Sequence, residues 1–236
     1  MRVLDYNSFI NQDRQKVQSV NEHLWSVIIH RSETGEEREE DKIRTKEELQ
    51  EKIREIIRKT HPKKGDTIDL NHLDVSRVED MSGLFYDYVD HIDFTQYNFN
   101  VSKWDVSKVT NMHCMFLLCE NFNSDLSRWK VSKVTDMSGM FSGCEKFNSD
   151  LSGWKVSKVK DMNEMFEGCK KFNSDLSGWK VSNVTNMSYM FSCCKNFNSD
   201  LSGWKVSKVK DMSGMFRDCS SLKKHKNIPE WFPYLI

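Results

Sequence analysis

Cysteine is the most reactive side chain in this 236-residue sequence, and five of the seven cysteines recur at intervals of 25 residues. The recurring set consists of Cys119, Cys144, Cys169, Cys194 and Cys219. Side chains on successive parallel repeats point the same way, which disfavours disulfides, and five members leave one unpaired. Single cysteines at this interval also lack the spacing of a zinc site. We therefore expect a buried column of reduced thiols, with Cys114 and Cys193 outside it in variable positions.

Four aspartates form a second series with the same interval, and such a series could bind a cation. They are Asp125, Asp150, Asp175 and Asp200. Carboxylates stacked at a strand spacing of about 4.8 Å repel one another, so turn amides, nearby lysines or a cation must stabilise them. Calcium-binding β-roll repeats are shorter and much richer in glycine. The sequence therefore favours a structural role for these aspartates and predicts no metal site.

Three histidines beside carboxylates near the amino end are the remaining candidates for catalysis. They are His23, His30 and His61. No HExxH, GxSxG or phosphate-binding-loop pattern accompanies them. The sequence therefore predicts no catalytic residue, no bound cofactor and no enzyme activity.

Two further columns of the same period invite a binding role. The tryptophans are Trp104, Trp129, Trp154, Trp179 and Trp204, and the asparagines are Asn98, Asn123, Asn148, Asn173 and Asn198. Stacked indoles could bind sugars or bases, but Leu73 takes the same place in the first repeat, which favours the core. We expect the asparagines to form an internal ladder that satisfies backbone groups at a corner of the chain.

Lysines at two outward positions of the repeat form the candidate partner-binding surface. One stripe consists of Lys130, Lys155, Lys180 and Lys205; the other consists of Lys108, Lys133, Lys158 and Lys208, interrupted by Asn183. Tyr189 shares a variable position with Cys114, Gly139, Glu164 and Gly214, which we expect to point outward. A partner with acidic groups could bind these lysines, and a solvated face that maintains solubility is the alternative.

The 25-residue period predicts the elements that position these columns. Four copies begin at Phe122, Phe147, Phe172 and Phe197, a more divergent one begins at Tyr97, and an irregular one precedes it. Such a period is typical of a repeat solenoid, in which each unit contacts mainly its neighbours. Within one unit we expect a short strand from Val131 to Met137 and a single helical turn from Ser138 to Cys144.

The sequence divides into three predicted regions: a helical amino-terminal segment and cap over 1–65, six solenoid repeats over 66–221, and a carboxy-terminal cap over 222–236. Thr45-Lys46-Glu47-Glu48 is a capping box that opens a helix reaching about Lys59. A second helix is expected over about 12–30, followed by a charged loop over 33–41. The apolar tail, including Trp231 and Phe232, should cover the last repeat.

Composition excludes several classes of protein. The formal net charge is zero, and the repeat region is too weakly basic to indicate a nucleic-acid partner. No stretch approaches the roughly 18 apolar residues of a membrane span. The first residues contain neither an apolar leader nor a cysteine for lipid attachment, so from the sequence as written we expect the chain to stay where it is made.

Two phrases carry a resemblance to a known family. The run Val134-Thr-Asp-Met-Ser-Gly-Met-Phe-Ser-Gly-Cys-Glu-Lys-Phe147 and the phrase Phe-Asn-x-Asp-Leu-Ser-x-Trp-x-Val-Ser resemble the BspA-like leucine-rich-repeat surface proteins, most closely the 25-residue branch of mycoplasma lipoproteins. The resemblance covers about residues 66–222 and the helix from Thr45. It implies a leucine-rich-repeat-like right-handed coil with short parallel strands and single helical turns, preceded by an α-helical cap.

The resemblance also implies surface display and adhesion or host-protein binding, and it brings no catalytic residues with it. The leading hypothesis is a monomeric, non-enzymatic scaffold that binds a protein partner of unknown identity. The alternative is that residues 1–65 carry an effector or enzymatic activity that the repeats target. A structural, self-associating protein is a third reading.

Overall fold

The computed structural model describes residues 43–86, 92–224 and 228–232. The chain divides into two units, Met1–Lys42 and Ile43–Ile236, and all the described residues belong to the second. The helix expected over 12–30, the charged loop over 33–41 and the last four residues lie outside the described part. We number the repeats one to six; they begin at Asp66, Tyr97, Phe122, Phe147, Phe172 and Phe197.

The helix α1, Lys46–Thr60, begins at the predicted capping box. The Thr45 side chain accepts a hydrogen bond from the Glu48 N–H at 3.2 Å, and the Glu48 carboxylate accepts one from the Thr45 N–H at 3.2 Å. The helix ends at Thr60 and is capped by His61, whose φ of 46° is left-handed. Leu49, Ile53 and Ile57 are buried in the same core as the repeats, so this capping-box helix is confirmed.

Regular elements in the rest of the described chain are short. Strand β1, Thr67–Asp69, pairs in parallel with β2, Asn98–Asn100, so that Thr67 lies opposite Asn98. A 3₁₀ helix, Phe94–Gln96, precedes β2, and helix α2, Ser220–Lys224, follows the sixth repeat.

Parallel bridges join each repeat to the next in chain order. The bridged pairs are Asp80 with Asn111, Asn111 with Asp136, Asp136 with Asp161, Asp161 with Asn186, and Asn186 with Asp211. The predicted strand from Val131 to Met137 therefore shortens to the single bridged residue Asp136. The Asp136 carboxylate accepts a hydrogen bond from the Ser138 N–H at 2.9 Å, which turns the chain immediately after the bridge.

The segment predicted as a helical turn is instead a series of hydrogen-bonded turns from Ser138 to Gly143. The Met140 N–H bonds to the Met137 carbonyl three residues back, whereas the Gly139 and Phe141 N–H groups bond to the next repeat at 2.7 and 2.9 Å. A continuous helix would use all these donors internally. The turns therefore share their hydrogen bonds between folding the repeat and joining it to its neighbour.

Two columns of stacked phenylalanines fill the core. One contains Phe85, Phe116, Phe141, Phe166, Phe191 and Phe216; the other contains Phe122, Phe147, Phe172 and Phe197. Phe141 lies 5.7 Å from the ring of Phe116 and 5.7 Å from that of Phe166. All these rings are fully buried, so one repeat presents its aromatic face to the next.

Different elements cover the two ends of the stack. At the first repeat, the Gln50 amide of α1 donates a hydrogen bond to the Leu84 carbonyl at 3.2 Å. At the sixth, Trp231 stacks on Trp204 at 6.4 Å, and Phe232 packs edge-on against Phe216 at 4.9 Å. Leu222 of α2 is also buried.

Candidate partner-binding surface

The tryptophan column is part of the core. The side chains from Trp104 to Trp204 are only 3–4% exposed. The indole N–H of Trp154 donates to the Leu126 carbonyl at 3.0 Å, and that of Trp179 donates to the Leu151 carbonyl at 2.9 Å. Neither ring face is accessible to a sugar or a base, so the core interpretation of these tryptophans is confirmed.

The cysteine column is buried, and all seven cysteines are free thiols. The Cys144 thiol donates to the Phe116 carbonyl at 3.0 Å, and the Cys169 thiol donates to the Phe141 carbonyl at 3.1 Å. Burial raises the pKa of both thiols well above its ordinary value. These groups stay protonated and lie away from any surface that a partner could reach.

The variable position that contains Tyr189 was expected to point outward, and Cys114 contradicts this. Cys114 is only 7% exposed, and its sulfur lies 2.8 Å from the place that a Cβ on Gly139 would occupy. The missing side chain of Gly139 thus gives the Cys114 sulfur its space. Tyr189 is 36% exposed and packs over Gly214 in the same way.

The asparagine column was predicted to be internal, and this is wrong for three of its five members. Asn123, Asn148 and Asn173 are exposed. The side-chain oxygen of Asn123 accepts from the Asn148 N–H at 2.8 Å, and that of Asn148 accepts from the Asn173 N–H at 2.8 Å. The ladder does satisfy backbone groups, but it does so at the surface, where the amide nitrogens can also contact water.

Sequence reasoning missed a buried serine column. Its members are Ser124, Ser149, Ser174 and Ser199. The Ser149 hydroxyl accepts a hydrogen bond from the Leu126 N–H at 2.8 Å, and the Ser174 hydroxyl accepts one from the Leu151 N–H at 2.9 Å. Each serine therefore satisfies a buried backbone donor in the preceding repeat. The sequence did contain a signal for this column, because serine occupies the position in all four of the most similar repeats.

Turn amides stabilise the repeated aspartates. Asp150 accepts a hydrogen bond from the Ser152 N–H at 2.9 Å, and Asp175 accepts one from the Ser177 N–H at 2.9 Å. These hydrogen bonds lower the pKa of both carboxyl groups. Within the described residues, no group of three or more histidine, cysteine, aspartate and glutamate side chains could hold a metal ion.

The predicted lysine stripes lie on the surface. Lys130, Lys155, Lys180 and Lys205 are exposed, as are Lys108, Lys133, Lys158 and Lys208. Lys160 and Lys210 are also exposed, in a third column that otherwise contains threonine from the second repeat onward. We call these three columns together the lysine face.

The lysine face contains a shallow depression of about 520 Å³. Its lining residues, which define the lysine depression below, are Thr135, Lys158, Lys160, Asn183, Thr185 and Lys208. The Asn183 oxygen accepts a hydrogen bond from the Lys208 ammonium at 2.8 Å, and its amide nitrogen donates to the Ser157 carbonyl at 2.8 Å. The residue that interrupts the second stripe therefore orients one of its lysines.

Two of these three columns become acidic toward the first repeat, whereas Arg77 and Lys108 keep the column of Lys133 basic. Asp74 and Asp105 occupy the column of Lys130, and Glu79 occupies that of Lys160. Hydrogen bonds from Ser107, and then the charges of Lys130 and Lys108, lower the pKa of Asp105. The uncompensated positive charge of this face therefore belongs to the later repeats.

The geometry defines a protein of consecutive repeats joined by parallel bridges, in which the aromatic and cysteine columns are buried and the lysine face is exposed. The sequence model of the family described as "Mycoplasma protein of unknown function, DUF285" matches residues 52–161 and 149–232. The chain belongs to this family. No curated protein and no solved structure shows significant similarity to it. Within the described residues, the helices are too short and too polar to cross a bilayer.

Proposed function

We propose that this chain is a leucine-rich-repeat-type right-handed solenoid of the BspA-like kind and that it acts as a non-enzymatic scaffold for protein binding. The resemblance favours a role in adhesion to a host or to another surface. The observation that carries the proposal is the lysine face, because lysines in adjoining columns are exposed over consecutive repeats. Stacked repeats commonly use such extended surfaces for binding.

Different residues of the repeat stabilise the fold and form the exposed surface, which supports this function. The aromatic and cysteine columns are buried, and the buried serines are used for hydrogen bonds between repeats. The outward lysines contribute little to stability, because exposed charges are well solvated. Tyr189 adds a partly exposed aromatic side chain, a type that often anchors protein interfaces.

The test begins with cross-linking pull-down of a partner by the intact chain and identification by mass spectrometry. The test variant combines Lys130→Glu, Lys155→Glu and Lys180→Glu with Tyr189→Ala. Its affinity for the partner should fall by about tenfold or more without a marked change in melting temperature. Lys146→Glu, Lys171→Glu and Lys195→Glu make a control, because these lysines are exposed at other positions of the repeat.

A different result would favour the alternative function. If the partner still binds the reversed variant but is lost when residues 1–40 are removed, the activity belongs to the amino-terminal segment. The repeats would then be a targeting or support structure, and the proposed scaffold function would be wrong.

A further inference from the structure

We propose that the lysine depression binds the carboxylate side chains of an extended acidic segment in a protein partner. This inference rests on the proposed protein-binding function and specifies the chemistry of the partner. Its basis is the arrangement of charge in three consecutive repeats, which differs from a uniform lysine stripe.

Within the three columns of the lysine face, two repeats with three lysines each lie on either side of a repeat with one. The fourth repeat has Lys155, Lys158 and Lys160, and the sixth has Lys205, Lys208 and Lys210. Between them, the fifth repeat has Lys180, Asn183 and Thr185. The neutral side chains of Asn183 and Thr185 line the middle of the depression, which we call its floor. Lys158 and Lys160 line it from the repeat before, and Lys208 lines it from the repeat after.

Asn183 organises the floor of this site. Its oxygen accepts from the Lys208 ammonium, and its nitrogen donates to the Ser157 carbonyl in the preceding repeat, both at 2.8 Å. The Thr185 hydroxyl donates to the Lys160 carbonyl at 3.1 Å. The polar groups of the floor are therefore engaged with the protein, so the lysine ammonium groups are what an anion would bind.

The ammonium groups of the depression are not neutralised within the described part of the chain. There, no carboxylate forms an ion pair with Lys158, Lys160 or Lys208. Asp161 follows Lys160 in sequence, but it is half-buried and accepts a hydrogen bond from the Asn163 N–H at 2.9 Å. An anionic ligand would therefore supply the missing counter-charge.

Carboxylates of an extended segment fit this site better than phosphate groups. The lining contains no arginine, whose planar guanidinium suits two-pronged phosphate recognition, and no helix start. The two three-lysine repeats are two repeat spacings apart, which is about 10 Å, or roughly three residues of extended peptide. A segment with acidic residues a few positions apart could therefore contact both repeats at once.

The experiment measures binding of a fluorescein-labelled octaglutamate peptide to the intact chain by fluorescence anisotropy at low ionic strength. Lys158→Glu, Lys160→Glu and Lys208→Glu together should weaken binding by about tenfold or more. The control triple Lys146→Glu, Lys171→Glu and Lys195→Glu changes the net charge by the same amount and should weaken it less than about threefold. Equal losses in both variants would overturn the site.

Two further arms keep the test decisive. If the charge-reversed variant fails to fold by circular dichroism, the milder Lys158→Gln, Lys160→Gln and Lys208→Gln variant should still lose about threefold or more. Binding of dextran sulfate and of inorganic phosphate to the intact chain and to the charge-reversed variant is measured directly by isothermal titration calorimetry. If either depends on these three lysines while octaglutamate does not bind, the carboxylate assignment is wrong.

Failure of this inference is distinguishable from failure of the proposed function. A pulled-down protein that depends on Lys130, Lys155 and Lys180, without octaglutamate binding at the depression, would overturn the inference alone. Octaglutamate binding at the depression, in a chain that captures no protein through its repeats, would overturn the scaffold function on which the inference rests.

Discussion

At the scale of single residues, one position of the repeat keeps a left-handed backbone whatever residue occupies it. Its members are Gly83, Cys114, Gly139, Glu164, Tyr189 and Gly214, and their φ angles lie between 52° and 63°. Left-handed backbone is strained for residues with a Cβ, so the stack imposes this conformation on three of the six members. Glycine is therefore helpful at this position but is not required in every repeat.

Two glycines of the sixth repeat differ both in backbone conformation and in the space around them. Gly214 has a φ of 63°, and a Cβ there would lie 2.5 Å from the Tyr189 ring. Gly203 is not left-handed and has open space around it. Gly214→Ala should lower the free energy of unfolding by about 1–2 kcal/mol, whereas Gly203→Ala should leave it unchanged or raise it by up to about 1 kcal/mol. Urea unfolding curves measure both, and equal effects would contradict the assigned conformations.

Cysteine burial makes a sharp prediction about thiol reactivity. Cys193 is partly exposed, whereas Cys114 and the five column cysteines are buried. A thiol reagent at neutral pH should therefore label one cysteine quickly in the native protein and all seven after denaturation. Peptide mapping should place the fast label on Cys193. Rapid labelling of Cys114 would restore the outward orientation that its variable position had indicated.

At the scale of the element, each repeat is joined to the next by several kinds of hydrogen bond between the two repeats. Backbone bridges, indole N–H groups, thiols, asparagine oxygens and serine hydroxyls all bond to an adjacent repeat. The serine bonds are the least replaceable, because their backbone donors are buried and an unpaired buried donor is costly.

Serine substitutions within the fourth repeat test this point. Ser149→Ala removes the acceptor of the buried Leu126 N–H and should lower the free energy of unfolding by about 1–3 kcal/mol. Ser157→Ala changes an exposed side chain and should alter it by no more than about 0.5 kcal/mol. Chemical denaturation of the two variants provides the comparison. A Ser149→Ala variant as stable as the Ser157→Ala variant would show that water replaces the hydroxyl.

The inward columns were predictable from the sequence because identical letters at a fixed period must lie at equal depth. The tryptophan and cysteine columns follow from this reasoning. Period alone does not distinguish two repeated serines, however, and Ser149 is buried whereas Ser152 is exposed. Reasoning from the period also predicted that the asparagine ladder is internal, although an exposed asparagine satisfies the backbone donor of the next repeat equally well.

The candidate surface was predictable only in part, for a similar reason. The stripes of Lys130 and Lys133 follow from the outward letters of the repeat. From the sequence, Asn183 was interpreted only as an interruption of the second stripe. Its hydrogen bonds to Lys208 and Ser157 were not predictable, because they depend on distances between repeats. The depression around it is a property of three neighbouring repeats, which no single repeat encodes.

At the scale of the whole molecule, the buried thiols link stability to alkaline pH. Burial raises the pKa of Cys119, Cys144, Cys169 and Cys194 above the ordinary value of 9.0. Above that pH the unfolded chain releases these protons and the folded chain retains them, so stability falls as pH rises. Stability should be unaffected by these groups below about pH 8.

The expected slope is steep because four thiols act together. Each lowers the free energy of unfolding by about 1.4 kcal/mol per pH unit once its unfolded form is ionised, which gives about 5 kcal/mol per unit for the four. Urea unfolding between about pH 8 and pH 10 measures the slope. Cys169→Ala should reduce it by about a quarter, and an unchanged slope in that variant would remove the thiols as its cause.

The tryptophan column has an optical consequence. From Trp129 to Trp231, successive indole rings lie 6.3–6.5 Å apart and within 6° of parallel. Aromatic chromophores that are this close and this well aligned share their electronic excitation, so light absorbed by one indole can be emitted by another. The near-ultraviolet circular dichroism and the polarisation of tryptophan emission therefore report on the alignment of neighbouring repeats. The intrinsic tryptophan signals therefore show whether the repeats are still stacked, without any added label.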